Sequence, residues 1–484
     1  MSPTQRKSSV QRRKSTPAFR GVGARIGELG QVDLNDEFRY ALDLIERQGQ
    51  SVFLTGKAGT GKSTFLHYLR ETTAKATVVL APTGVAALNV GGQTIHSFFQ
   101  FPPTFIDPNS IRRRKNTKLF EKLQMVIIDE VSMVRVDVMD GIDAALRIQR
   151  GNPTIPFGGV QVVLCGDLFQ LPPIVRDGEM KTFFDEQYGG PYFFFAKVFR
   201  EIRPSSLELT TIYRQRDDDF IRILNKIREN EFDAQLFSVL NARVRRGSEE
   251  QVDSSFITLT ATNEAAYQKN RACLARINAK PYTYTASVTG HFEPTTYPTE
   301  LILELKHGAQ VMLLKNDPEK RWVNGTLGRV RALNEKKVSV DIAGTSYDVE
   351  PETWENIQYR FDRDTNRIEE EVIGTFTQYP LRLAWAITIH KSQGQTFDKV
   401  LIDLGRGAFA HGQTYVALSR CTSLDGIIFS RPVTPRDILF DERVYEYSRV
   451  FPPARRATAL SLRAQSQGAR NDRLLTMPLK SRRY

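Results

Sequence analysis

Short apolar runs alternate with helix-compatible or loop segments from Leu34 onward, and this alternation is typical of an α/β fold. The stretch 38–45 places its apolar residues on one helical face. The runs are apolar on both faces, as buried parallel strands are, and polar residues follow their carboxyl ends, where open α/β sheets place their sites. The five runs lie at 51–55, 77–81, 125–128, 161–165 and 207–212.

The pattern predicts two α/β domains, the second of them interrupted by a β insertion. Short β-prone pieces between residues 305 and 375 are joined by turns such as Asn324-Gly325, which predicts a small barrel-like unit. The α/β pattern resumes at Leu381 and ends near Phe451. The predicted boundaries are 31–203 for the first domain, 204–304 and 376–450 for the second, and 305–375 for the insertion.

Composition is ordinary for a globular chain of 484 residues, with 40% hydrophobic and 25% charged residues. No window approaches the roughly 18 unbroken apolar residues that a membrane span needs, so we expect no membrane partner. The three cysteines (Cys165, Cys273 and Cys421) are far apart, which favours a reducing compartment and predicts neither a disulfide framework nor a zinc site.

The net charge of +12 is concentrated at the two ends of the chain. Residues 1–30 hold seven basic residues against one acidic, and residues 455–484 hold eight against one, so the body is close to neutral. We expect disordered basic segments at 1–30 and 451–484 that attract polyanions, with nucleic acid as the natural partner. The alternative is a pair of solvated tails that aid only solubility.

The N-terminal basic segment also bears on the cellular compartment. It is rich in Arg and Ser and poor in acidic residues, as organelle transit peptides are, but it lacks a convincing apolar face. We therefore expect a cytoplasmic, nucleoid-associated protein of bacterial type, with organelle import as the alternative.

Residues 56–63 read GKAGTGKS, a phosphate-loop motif between an apolar run and a helix-compatible stretch. The glycines let backbone N–H groups converge on phosphate oxygens at a helix N-terminus. Lys62 is expected at the β and γ phosphates and Ser63 on Mg²⁺, so ATP and Mg²⁺ are the predicted cofactors. The alternative is a glycine-rich turn before a structural helix. The predicted nucleotide contacts are Gly56, Ala58, Gly59, Thr60, Gly61, Lys62, Ser63 and Thr64.

Polar residues that follow two later apolar runs complete the predicted hydrolytic site. Asp129 would hold Mg²⁺ through water, and Glu130 would orient and deprotonate the attacking water. The alternative for this carboxylate pair is a helix cap or a solvated turn. Gln170 follows the run 161–165 and is the candidate sensor of the γ-phosphate.

Two arginines of the second unit are candidates for stabilising charge on the transferred phosphoryl group across a cleft. They are Arg214 and Arg420, each of which has a surface salt bridge as its alternative reading. Tyr213 is a candidate for stacking on the nucleotide base, with a core aromatic as the alternative.

Eight ordered motifs between about residues 34 and 450 give the chain a specific resemblance. The chain resembles superfamily 1B DNA helicases, specifically the petite-integration-frequency (Pif) family, which is related to the RecD and Dda helicases. The motifs are GKAGTGKST (56–64), APTGVAA (81–87), TIHSFF (94–99), VIIDEVSM (126–133), GDLFQLPP (166–173), IYRQ (212–215), TIHKSQGQTFD (388–398) and YVALSRCTS (415–423).

The resemblance implies two RecA-like parallel-sheet domains with ATP in the cleft between them. It also implies an SH3-like barrel at 305–375 and a short wedge insertion at about 97–118. Such a protein would move 5′ to 3′ along single-stranded DNA and unwind tailed or structured duplexes in replication, recombination and repair, with telomere maintenance among its family's roles. We expect a monomer.

Site residues carry over from the family motifs onto matching positions of this chain. Gly394 would contact the nucleotide. The predicted DNA contacts are Pro82, Thr83, His96, Ser97, Phe98, Thr388, His390, Lys391 and Gln393.

One position departs from the family pattern. Members often carry a glutamine that reads adenine upstream of the phosphate loop, and this chain has Phe38 there. Selectivity for ATP is therefore open, with Gln31, Gln48 and Gln50 as candidate substitutes. Two other functions also stay open: a translocase that strips proteins from DNA, and a nucleotide switch that binds nucleic acid without unwinding it.

Overall fold

The computed structural model describes residues 34–175, 178–215, 217–231, 233–245 and 256–450, without the side chain of Val450. The basic segments predicted at 1–30 and 451–484 lie outside the described residues, as does Gln31.

Six parallel strands form the first sheet, in the order β3-β2-β4-β5-β1-β6. The central strands β1 and β4 are buried along their whole length, which explains their apolar residues on both faces. The strands are β1 (Val52–Gly56), β2 (Thr77–Ala81), β3 (Gln93–Thr94), β4 (Met125–Ile128), β5 (Gln161–Cys165) and β6 (Ser205–Leu209).

Helices surround this sheet and pack their apolar faces on it. The first ends in a π-helical turn, Asp43–Arg47. The longest, at 136–150, is almost entirely buried. The helices are α1 (Asp36–Leu42), α2 (Lys62–Thr72), α3 (Gly84–Val90), α4 (Ile95–Phe99), α5 (Lys118–Lys122), α6 (Val136–Arg150) and α7 (Gly178–Tyr188).

The chain then passes through helices into the second parallel sheet and leaves it again for the insertion. The elements of this part are α8 (Asp218–Arg228), α9 (Ala234–Asn241), β7 (Ile257–Thr260) and α10 (Asn263–Arg276).

The insertion consists of three antiparallel sheets, with strand orders β14-β13-β12-β11-β17, β15-β16-β9 and β10-β8. The strands are β8 (Tyr282–Thr285), β9 (Ser287–Gly290), β10 (Ile302–Leu305), β11 (Gln310–Leu313), β12 (Leu327–Leu333), β13 (Val338–Ile342), β14 (Thr345–Val349), β15 (Glu352–Asp362), β16 (Arg367–Gln378) and β17 (Leu381–Leu383).

The second sheet is completed after the insertion and has the order β18-β7-β19-β20, with all its strands parallel. Two parallel sheets with helices between their strands confirm the predicted α/β class. The remaining elements are β18 (Ala386–Thr388), β19 (Val400–Asp403), α11 (Gln413–Leu418), β20 (Ile427–Phe429) and α12 (Glu442–Val450).

The predicted boundaries of the second domain differ from the structure at two places. Strand β6, predicted to open the second domain, pairs with β1 in the first sheet. Strands β8, β9 and β10, predicted within 204–304, pair only in the antiparallel sheets of the insertion. The apolar pattern of a strand is set by burial and does not specify which sheet supplies its hydrogen bonds.

The hairpin β15–β16 reaches from the insertion to the first domain. Tyr359 on β15 is buried in the first domain's core, where its hydroxyl accepts a hydrogen bond from the backbone N–H of Val79 (3.1 Å). Arg70 on α2 forms an ion pair with Glu370 on β16 (2.7 Å). The insertion therefore closes over one edge of the first sheet.

The segment 97–118, predicted as a wedge, starts in α4 and packs on α6. The backbone N–H of Ile106 donates to Asp137 (2.9 Å), and that of Arg114 donates to the side chain of Gln149 (2.8 Å). Ile106 is itself buried in the first domain's core. The segment is therefore fastened to the first domain, and its action as a wedge stays a prediction.

Candidate functional site

The phosphate loop joins β1 to α2, as its sequence predicts. Gly59 and Gly61 have φ angles of 84° and 82°, a left-handed conformation that glycine adopts without steric cost. A Cβ on Gly59 would lie 2.5 Å from the Cβ of Arg214, so this candidate arginine approaches the loop closely. The Lys62 ammonium donates to the backbone carbonyls of Gly56 (2.7 Å) and Lys57 (3.0 Å), which folds it back over the loop.

The two candidate carboxylates follow β4 directly. Glu130 has a φ of 50°, which is uncommon for a residue with a side chain, and its backbone N–H donates to Asp129 (2.9 Å). Burial raises the pKa of Asp129. Burial, and then the neighbouring charge of Asp129, raises the pKa of Glu130 to about 7. A carboxylate with a raised pKa is suited to accept a proton near neutral pH.

Asp167 is the centre of a buried network that sequence reasoning missed. It accepts from Arg228 on α8 (3.3 Å), from Gln170 (3.3 Å) and from the hydroxyl of Tyr415 on α11 (3.3 Å). The Tyr415 hydroxyl also accepts from the phosphate-loop N–H of Ala58 (3.2 Å). Burial opposes ionisation of Asp167, but the charge of Arg228 leads the interactions that hold its pKa below the ordinary value. This network connects the phosphate loop to two helices of the second half of the chain.

Different signals mark the members of this network in the sequence. Asp167 and Tyr415 lie inside motifs quoted above, so their motif membership was available as a clue. Arg228 lies in no motif. Only its charge on the otherwise apolar, buried face of α8 distinguishes it.

Arg420 and Arg214 meet in the same cleft. Arg420 is only 1% exposed, and burial together with the charge of Arg214 lowers its pKa to about 9. Burial lowers the pKa of Arg214 to about 10. Arg214 donates to the backbone carbonyls of Ser419 (3.2 Å) and Gly394 (3.4 Å). Both guanidinium groups remain cations at neutral pH.

A ring pair flanks the start of α2, where a nucleotide base would be expected. The nearest Phe38 and Tyr213 ring atoms lie 3.3 Å and 3.7 Å from a Cβ built on Gly61. Phe38 is buried against Phe65, whereas Tyr213 is 51% exposed and its hydroxyl accepts from the side chain of Asn35 (3.0 Å). Tyr213 is therefore free on one face to stack.

The two candidate glutamines within the described residues are engaged elsewhere. Gln48 donates its side-chain amide to Asp43 (2.8 Å), and Gln50 donates to Gln48 (2.9 Å) and accepts from Ser205 (2.6 Å). Neither side chain substitutes at the base position in this conformation.

Gln393, predicted as a DNA contact, lies at the nucleotide cleft. Its amide nitrogen donates to the Glu130 carboxylate (2.9 Å) and to the Gln170 side-chain oxygen (3.3 Å). The next residue, Gly394, accepts from Arg214. The turn after β18 therefore contacts both the candidate carboxylate Glu130 and the candidate arginine Arg214.

A cavity of about 730 Å³ opens between the first domain and the insertion. Four predicted DNA contacts line it (Pro82, Thr83, His96 and Ser97), and the opposite wall is formed by the segments 291–296 and 355–356. This wall belongs to the insertion, whose part in the site sequence reasoning missed.

The remaining predicted DNA contacts lie apart from this cavity. Phe98 is a core residue, 6% exposed and packed edge-on against Phe99 and Phe120, and its contact with DNA stays a prediction. Thr388 is also buried, and its hydroxyl accepts from the backbone N–H of Lys391 (3.2 Å). The His390 ring stacks on that of Phe409, with centroids 6.1 Å apart.

The residues present fit a nucleoside triphosphate with a divalent cation. The loop carries glycines at positions 59 and 61, and two cations, the half-buried Arg214 and the buried Arg420, lie in the same cleft. The charge of Lys62 acts on Asp129, and Ser63 follows Lys62 at the start of α2. Among the described residues no cluster of three or more His, Cys, Asp or Glu side chains could hold a metal by itself. A cation would therefore depend on phosphate oxygens as well as on Ser63 and Asp129.

No helix in the described ranges has the length and apolar character that crossing a bilayer requires.

Comparison with known proteins gives consistent matches. Residues 33–238 match the family model described as PIF1-like helicase. The chain is 33% identical to the mouse ATP-dependent DNA helicase PIF1 over 89% of this chain, and it spans 64% of the length of that protein. It is 32% identical to the ATP-dependent DNA helicase Pif1 of Bdellovibrio bacteriovorus over 89% of this chain and 95% of that protein.

Solved structures of Pif1 from Bacteroides sp match over 87% of this chain and 97% of theirs. The TM-score is 0.81 for its complex with ADP-AlF4 and 0.80 for its unliganded form, both at 38% identity. The TM-score is 0.63 for its complex with ssDNA, at 39% identity. These matches confirm the predicted fold class.

Proposed function

The chain belongs to the PIF1-like helicase family, and from that premise we propose that it is an ATP-dependent DNA helicase. One observation carries the proposal: groups from both α/β domains converge on one cleft. Lys62, Asp129 and Glu130 stand on the first domain, and Arg420 approaches from the second, where its charge acts on Glu130. Hydrolysis at such a site responds to the relative position of the two domains.

Each side chain has a role that its geometry supports. Lys62 binds the β and γ phosphates, while Ser63 and Asp129 hold Mg²⁺, which neutralises phosphate charge when bound. Glu130 takes the proton of the attacking water, since its pKa is raised by burial. Gln170 contacts the γ-phosphate.

The second domain supplies positive charge and a surface for the base. Arg214 and Arg420 stabilise the negative charge that develops on the transferred phosphoryl group. Their guanidinium groups are desolvated, so water screens their positive charge only weakly. Tyr213 stacks on the base beside Gly61. Gly394 connects Arg214 to the turn after β18.

We propose that the polynucleotide is single-stranded DNA and that it binds in the cavity between the first domain and the insertion. Pro82, Thr83, His96 and Ser97 line that cavity, and His390 and Lys391 stand at the second domain. Opening and closing of the cleft would move the strand 5′ to 3′, and the segment 97–118 would separate a tailed or structured duplex. Replication, recombination and repair are the processes that such an activity serves.

We place the protein as a monomer in the cytoplasm with the nucleoid, and organelle import remains the alternative. A translocase that displaces proteins from DNA is the second candidate function, because it needs the same cleft. A nucleotide switch without hydrolysis is disfavoured, since Arg420 is buried toward the cleft at an energetic cost that such a switch does not need.

The decisive experiment compares duplexes with a 5′ or a 3′ single-stranded tail in the presence of ATP and Mg²⁺. Unwinding of the 5′-tailed duplex alone is expected. Lys62→Ala should fold normally and lose ATP turnover and unwinding together. ATP hydrolysis by Lys62→Ala at the wild-type rate would contradict the site, and ATP turnover with protein displacement but no unwinding would favour the translocase.

A further inference from the structure

Gln393 makes a contact that the proposed roles do not require. Its amide joins the second domain to two groups of the first, the Glu130 carboxylate at 2.9 Å and the Gln170 side-chain oxygen at 3.3 Å. We propose that Gln393 is a positioning residue that holds Glu130 away from the attacking water until single-stranded DNA displaces the turn carrying Gln393. This inference rests on the proposed function and assigns regulation to the same site.

The hydrogen bond from Gln393 engages the Glu130 carboxylate, which has to accept the proton of the attacking water. A general base needs an oxygen within hydrogen-bond reach of the water it deprotonates. One oxygen of Glu130 is instead directed at the Gln393 amide on the opposite wall of the cleft. The same amide also engages Gln170, the candidate γ-phosphate sensor. A single side chain thereby restrains two groups of the hydrolytic site.

The turn that carries Gln393 is built to move as a unit. The backbone N–H of Ser392 donates to the carbonyl of Thr388 (3.0 Å), and that of Gln393 donates to the carbonyl of His390 (3.3 Å). The backbone N–H of Lys391 donates to the Thr388 hydroxyl (3.2 Å). Any displacement of Lys391 is therefore transmitted to Gln393 two residues later.

Lys391 is the exposed group through which DNA would act. It lies at the tip of this turn, where a cation suits a DNA phosphate. The overall conformation matches the ADP-AlF4 complex (TM-score 0.81) and the unliganded form (0.80) of the Bacteroides relative better than its ssDNA complex (0.63). The clasp between Gln393 and Glu130 thus belongs to a conformation that resembles the two forms described without DNA.

A substitution that removes the amide and keeps the side-chain length tests the idea. Gln393→Met should raise ATP turnover in the absence of DNA by about tenfold, the factor expected for losing one hydrogen bond to a charged group. Turnover at saturating DNA should stay at the wild-type rate, so the stimulation by DNA shrinks by the same factor. The KM for ATP should not change.

Gln395→Met is the matched control. Gln395 lies in the same segment, but its side chain packs beside Gly325 on the insertion, with its Cβ 3.6 Å from a Cβ built there. Basal turnover of Gln395→Met should equal that of the wild type. A similar rise in both variants would mean that loosening of the segment, and not loss of the clasp, causes the effect.

Binding of a fluorescent single-stranded oligonucleotide in the absence of nucleotide gives a second readout. If DNA has to break the clasp, removing the clasp by mutation strengthens DNA binding by the same factor, because coupling is reciprocal. Gln393→Met should therefore bind the oligonucleotide about tenfold more tightly. Weaker binding would show that Gln393 contacts DNA directly, and lower turnover without DNA would show that it assists hydrolysis; either result overturns the proposal.

Failure of this inference and failure of the proposed function are distinguishable. A wild-type protein without DNA-stimulated ATP turnover would refute the proposed function. A wild-type protein with stimulation that Gln393→Met leaves unchanged would refute the clasp alone.

Discussion

Arg420 is a buried cation that donates its hydrogen bonds to carbonyl and hydroxyl oxygens. They are the carbonyls of Val416 (3.0 Å), Ser392 (3.4 Å) and Gln395 (3.3 Å) and the hydroxyl of Ser419 (2.8 Å). The carboxylate whose charge acts on it most strongly is Glu130. We predict that Arg420→Met stabilises the fold while abolishing ATP hydrolysis. Burial of the Arg420 charge lowers the free energy of unfolding, whereas hydrolysis requires that charge.

The magnitude follows from the pKa of Arg420. Its fall from 12.5 to about 9, caused by burial and then by the charge of Arg214, corresponds to about 5 kcal/mol. Loss of the four hydrogen bonds named above offsets about 1 kcal/mol each, which leaves a net gain of about 1 kcal/mol. Since the pKa is lowered in the fold, this cost is fully present below pH 9 and is relieved only above it.

Thermal unfolding without nucleotide measures the stabilisation of the fold, and the Tm of Arg420→Met should rise by a few degrees. ATP turnover should fall by about a thousandfold, the effect of losing an arginine that stabilises transition-state charge. Arg431→Met is the control, because Arg431 pairs with the buried carboxylate of Asp437 (2.6 Å) and its loss should lower the Tm. An equal loss of stability in both variants would refute the reasoning.

Three further predictions concern the base, the buried network and the basic segments. Phe38 offers a base no hydrogen bond, so the kcat/KM values for ATP and GTP should differ by less than about tenfold, and a larger preference for ATP would contradict this. Tyr415→Phe leaves the Ala58 N–H and Asp167 each short of one buried partner, so calorimetry should show a loss of about 1–3 kcal/mol; an unchanged Tm would rule out a structural role for the hydroxyl. Deleting either basic terminal segment should reduce the slope of log DNA affinity against log salt, and an unchanged slope would exclude phosphate contacts there.

Local motifs identified the candidate hydrolytic groups because each lies within a few residues of the strand or helix that positions it. The phosphate loop, Asp129 and Glu130 follow buried strands of the first sheet, whose apolar residues are legible in the sequence. Phe98 shows the limit of this approach. Its motif predicted contact with single-stranded DNA, but its ring lies in the first domain's core beside Phe120 and Tyr359.

Strand pairings and ion pairs between distant segments could not be predicted from local motifs. Strand β6 and strands β8 to β10 have the same apolar character whichever sheet they join, so their domain could be assigned only from hydrogen bonds. Arg228 carried no motif, yet its charge is what keeps Asp167 ionised in the interior. Such pairings depend on long-range contacts that a single sequence does not encode locally.

The sequence by itself determined the α/β class, the phosphate loop and the choice of candidate hydrolytic groups, because these depend on periodicity and on residues adjacent in the chain. Tertiary structure alone decided that Gln393 holds Glu130, that the insertion closes a cavity over the first domain, and that Phe98 is core. Each of these depends on which surfaces exclude water together, and burial is a property of the folded chain and not of any one segment.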